Sequence, residues 1–106
     1  MTAIRGGLTV NKLIKILSKE HINSKVSLLC TNSDDMYEPK NVKLKDYKTI
    51  VITLSHSPSS LTVKILLDIL NNFKESVPVE IELENKLCAI TGYSHLDTKF
   101  LLEFKK

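Results

Sequence analysis

Two runs of like charge have the spacing to do chemistry. Glu80, Glu82 and Glu84 recur at period two, which places three carboxylates on one face of a strand. Paired carboxylates serve acid–base catalysis or hold a hard cation. The intervening Val79, Ile81 and Leu83 read as the buried side, so the three Glu are expected on a solvated sheet face, as an acidic docking strip for a basic partner. Lys40, Lys43, Lys45 and Lys48 form the densest basic run, with Asp46 and Tyr47 interleaved. Four lysines can neutralise phosphates, and each contact adds salt-dependent affinity. The run contains no Arg, the residue that makes most base-specific contacts, and lysines also protect exposed strand edges. These four lysines are the candidate interaction patch.

The remaining reactive side chains are scattered. His21 follows the first helical segment, His56 lies in a polar joint, and His95 stands two residues before Asp97. No two histidines have ligand spacing, and no C-x-x-C, H-E-x-x-H or G-x-S-x-G pattern occurs. The pair Gly6-Gly7 lacks the Lys-Ser/Thr ending of a phosphate loop and reads as a flexible leader. Cys30 and Cys88 sit in apolar alternations and read as small buried hydrophobes. The expectation is a chain with no catalytic residues, no metal ligands and no cofactor.

The elements that position these residues come from a chain of 106 residues, 42% hydrophobic and 25% charged, with a formal net charge of +3. That is a single domain over 1–106 with a largely aliphatic core, since aromatics are 6% and Trp is absent. The composition excludes a disordered tail, a collagen-like repeat and a Pro/Gly-rich linker. No apolar run approaches the ~20 residues of a membrane span, and the first residues do not read as a signal peptide. A cytoplasmic protein without membrane contact is expected.

The chain repeats itself. Leu8–Leu17 aligns with Leu61–Leu70, with six of ten positions identical and no gap. Val26 then matches Val79, Leu28 matches Ile81, and Asn32 matches Asn85; after a short deletion Ile90 matches Val42, and Phe100, Leu102 and Phe104 match Ile50, Ile52 and Leu54. Each copy opens with a Thr N-cap, Thr9 or Thr62, after a Leu that can staple the first turn. Val10, Leu13, Ile14 and Leu17 make a helical stripe, as do Val63, Leu66, Leu67 and Leu70.

Three strand-like runs follow each helix. They are expected from Val26, from Met36 to Leu44, and over Thr49–Leu54, then from Val77 to Leu83, Leu87 to Tyr93 and Thr98 to Phe104, with 94–97 a loop. Pro39 marks an edge or a bulge. Short connections make antiparallel neighbours the default. The predicted fold is therefore α+β: a tandem, pseudo-symmetric α-β-β-β repeat with two helices packed on antiparallel sheet. Repeat one covers 8–54, a linker 55–60, and repeat two 61–104.

Residues 1–54 carry +4 and residues 55–106 carry −1, so a shared skeleton presents two unlike surfaces. The capped helix Leu8–Leu17 followed by Lys25-Val-Ser-Leu28 resembles a pattern in small accessory proteins of phages and mobile elements, here present twice. That resemblance implies a protein that acts by binding, modulating a host or defence factor, and it transfers no site residue. The reading is a non-enzymatic protein-binding regulator or inhibitor. The alternatives are a nucleic-acid-binding module that uses the basic strand face, and a structural component that forms homo-oligomers.

Overall fold

The computed structural model describes residues 2–4 and 7–106. Gly6 of the glycine leader lies outside the described residues, while Gly7 takes φ +79°, a left-handed turn that suits glycine. In chain order the elements are β1 (Thr2–Ala3), α1 (Val10–Leu17), β2 (Lys25–Cys30), β3 (Asp35–Lys45), β4 (Thr49–Ser55), α2 (Val63–Leu70), β5 (Val79–Leu83), β6 (Lys86–Leu96) and β7 (Lys99–Phe104).

The expected helices-on-sheet α+β fold is not what forms. Strands β2 to β7 pair in chain order and close into a ring through β2–β7, giving a six-stranded barrel with about 49% strand and 16% helix. Within each copy the strands run antiparallel, as short turns demand. The two joins between copies are parallel: β4 beside β5, and β2 beside β7. A parallel join needs a long crossover, and α2 supplies it between β4 and β5. Closure pairs the edges that an open six-stranded sheet would expose.

The barrel interior and the helices share one core. Leu28, Ile50, Ile52, Ile81, Phe100 and Leu102 from the strands cluster with Val10, Leu13 and Leu17 of α1 and Val63, Leu66 and Leu70 of α2, all fully buried. So small a barrel has room only for side chains.

The copies are interlocked at the helix starts. Thr9 and Thr62 are the N-caps; their hydroxyls accept the N–H of Lys12 and of Ile65 at 3.4 and 3.3 Å. The first two N–H groups of α1, from Val10 and Asn11, donate to the carbonyls of Val77 and Glu75 at 2.9 and 3.0 Å. Those of α2, from Val63 and Lys64, donate to Ser24 and Ile22 at 2.9 and 3.0 Å. Val79 N–H donates to Leu8 and Val26 N–H to Leu61, at 2.9 and 3.0 Å. All six bonds cross between copies, and each has its twin 53 residues away. Helix N–H groups that lack an intrahelical partner are thus satisfied by the other copy.

Three details differ from expectation. The fifth strand starts at Val79, because Val77 gives its carbonyl to α1 and Pro78 bridges Thr9. The segment 94–97 is not a loop, since β6 continues through Leu96. Ile90 faces Phe104 as Pro39 faces Leu54, so Ile90 is the counterpart of Pro39, and Tyr93 that of Val42. Both copies have a β-bulge at the same place, between Pro39 and Asn41 and between Ile90 and Gly92.

Candidate interaction surface

The two charged runs lie on neighbouring strands. Lys43 sits opposite Val51 on β4, and Val51 sits opposite Glu80 on β5; Asn41, Thr53 and Glu82 form the next row. Lys43 and Lys45 of the basic patch and Glu80 and Glu82 of the acidic strip therefore share the outer face of β3–β4–β5. Lys45 Nζ donates to Glu82 Oε2 at 2.6 Å. Their hydrogen bond and opposite charges hold the Glu82 carboxyl below its usual pKa, against the desolvation that opposes ionisation, and raise the Lys45 ammonium above its own.

The rest of each run disperses. Glu80 is half-buried, and Glu84 leaves the strip altogether. Glu84 and Asn85 form the β5–β6 turn, with φ of 52° and 65°, the positive pair typical of a type I′ hairpin. Lys40 is the exposed bulge residue of β3, Lys43 is exposed further along it, and Lys48 lies in the β3–β4 turn. Of these candidates Lys45 and Glu82 are in direct contact, and the Lys43 charge also favours the Glu82 carboxylate.

That β3–β4 turn holds a residue whose prominence the sequence does not reveal. Asp46 and Tyr47 take φ of 53° and 60°, and Lys48 N–H donates to the Lys45 carbonyl at 3.0 Å. Tyr47 is 96% exposed, and Leu44, near the end of β3, is 38% exposed. A non-Gly residue at positive φ is uncommon, and a bulky one is an outlier. The corresponding β6–β7 turn carries Asp97 and Thr98, with no aromatic.

The histidines do not converge. His95 Nε2 lies 2.5 Å from Glu20 Oε1, at the end of the α1 turn, with its ring edge-on to Phe100. The counterparts of Glu20 and His95 are Phe73 and Leu44, so an ionisable pair that crosses between the copies at one place is replaced by two apolar residues at the equivalent place. His56 lies against the Tyr37 ring at 4.9 Å, and His21 Nδ1 accepts the Asn23 N–H at 3.1 Å. Cys30 and Cys88 are free thiols, both buried, and burial pushes the Cys88 thiol up. Among the described residues no three His, Cys, Asp or Glu gather as a metal site, and no helix is long and apolar enough to cross a membrane.

A shallow groove of about 300 Å³ runs between the β3 bulge and α2, lined by Lys40, Asn41, Val42, Ser60, Leu61 and Ile65 among others. Sequence reading alone could not find it, because its walls come from β3, the joint and α2. Comparison of the chain with protein-family models, curated proteins and solved structures returns no match.

Proposed function

We propose that this chain is a non-enzymatic, protein-binding regulator or inhibitor, and that the β3–β4 hairpin tip is its principal contact. The supporting observation is Tyr47, 96% exposed and held at φ 60° on a tight turn. Its exposure adds nothing to the core, and the positive φ that the turn needs would be met more easily by Asn or Gly than by Tyr. Tyr offers a large amphipathic contact area at low conformational cost and is enriched among the residues that dominate binding energy. Leu44 adds apolar area, and Lys43 and Lys48 add a cationic rim. The resemblance to phage and mobile-element accessory proteins makes a host or defence factor the proposed target.

One observation favours a second reading. An exposed Tyr among lysines can stack on a base while the lysines meet phosphates. Against it, Lys45 is already occupied by Glu82. The immobilised 106-residue chain separates the two. The first reading expects capture of a protein that Tyr47→Ala loses. Retention of DNA or RNA that falls steeply with salt and weakens in Lys43→Glu/Lys48→Glu would replace it with the second.

A further inference from the structure

The two bulged strands, β3 and β6, are counterparts, but only one has its free edge covered. Beyond the bulge β6 pairs with β7 on one side, and its other edge carries β1. Thr2 pairs with Tyr93, Ala3 pairs with Gly92, and Ile4 N–H donates to the Thr91 carbonyl at 2.9 Å. In the first copy the counterparts of Thr91, Gly92 and Tyr93 are Lys40, Asn41 and Val42. Strand β3 pairs with β2 only over Asp35–Tyr37, and with β4 over Glu38–Lys45. From Lys40 to Lys43 its second edge has no ladder partner among the described residues.

None of the described residues fills this edge. Counting back from the caps, the counterparts of Thr2 and Ala3 are Ser55 and His56. Ser55 ends β4, and its hydroxyl accepts the Ser57 N–H at 3.0 Å. His56 is drawn onto Tyr37, and Pro58, which has no N–H to donate, follows. The joint swings aside, and the groove of about 300 Å³ opens where the second copy has a strand.

We propose that the edge of β3 between Lys40 and Lys43 is a strand-addition site for an extended acidic segment of a partner protein, with apolar residues alternating with carboxylates. The backbone pairing repeats what β1 does on β6. Val42, Leu61 and Ile65 offer an apolar wall, and the exposed Lys40 and Lys43 call for carboxylates at the rim. A second copy is the wrong occupant: antiparallel pairing of two such edges would set lysines of one chain against lysines of the other.

This proposal rests on the protein-binding reading and shares Lys43 with the rim of the hairpin tip, but the groove itself, lined by Lys40, Val42, Ser60, Leu61 and Ile65, is a different surface. The test is selection of the full chain against a displayed library of random peptides, followed by titration of the labelled winners. Acidic, alternating sequences are expected. Their affinity should fall about tenfold in Lys40→Glu, which reverses the charge of a groove residue and leaves the hairpin tip untouched. Ser60→Trp, which fills the groove from the exposed joint, should have the same effect, and Tyr47→Ala should have none. Bound peptide should also slow hydrogen exchange of β3 amides. No acidic enrichment, or winners indifferent to both groove variants, would overturn the proposal. Capture of a protein that is lost with Tyr47→Ala but kept with Ser60→Trp would leave the hairpin reading standing and remove this one. Winners lost with Ser60→Trp, alongside no capture at the tip, would do the reverse.

Discussion

Separating the copies should abolish folding of both. Among the described residues the core draws ten side chains from each copy, so neither half has a core of its own. Complete burial of one such side chain contributes about 1.5–3 kcal/mol. Uncovering half of each across ten residues therefore costs about 8–15 kcal/mol, comparable with the about 5–15 kcal/mol that holds a whole domain of this size together. The cut also removes both parallel joins and leaves the first two N–H groups of each helix without partners. Residues 1–54 alone should show weak far-UV dichroism and a broad, non-cooperative thermal trace, and so should 55–106. Mixed in equimolar amounts, the fragments should regain a sigmoidal transition whose midpoint rises with concentration. A sharp transition for 1–54 by itself would refute the shared-core reasoning.

Other consequences can be checked singly. Tyr47→Asn should stabilise the fold by about 0.5 kcal/mol in urea titration, because Asn tolerates the left-handed region, while weakening any partner bound at the tip. Phe100→Ala should cost about 3–5 kcal/mol by the same assay, since the ring is completely buried. Folded Glu82 binds its proton less tightly than an ordinary carboxyl. Its contribution is therefore present above the unfolded value and lost as the pH falls through the folded one; Glu82→Gln should flatten the acid limb of stability against pH, and an unchanged limb would contradict the Lys45 contact. Cys30 and Cys88 should resist a thiol reagent in the native protein and react fully in denaturant, and rapid native labelling would argue against their burial.

Local features were legible in the sequence where one short segment decides them. Thr9 and Thr62 cap the helices because a Thr before an apolar helical stripe has few other uses. Pro39 announced a bulge because it cannot donate to a ladder. The ring was not legible, since its parallel joins depend on which distant edges meet and hairpin logic says nothing about them. The Lys45–Glu82 contact needs the register across three strands. Glu84 fits both a period-two strip and a Glu84-Asn85-Lys86 turn on sequence, and the turn prevails because the strand ends at Leu83. The open edge of β3 emerges only when the copies are superposed in register and one is found to lack what the other has.

The interlocking of the helix starts bears on how many chains make one barrel. Each copy completes the other through groups that are indifferent to whether both belong to the same molecule. Self-completion wins because the joint 55–60 holds the second copy at a high effective concentration beside the first. A joint too short to return from the end of β4 to Thr62 would remove that advantage and leave every contact intact. Copies would then be exchanged between molecules, and a barrel pair of reciprocal composition would replace the ring closed within one chain. The few polar residues between the repeats therefore govern stoichiometry, although they contribute nothing to the core.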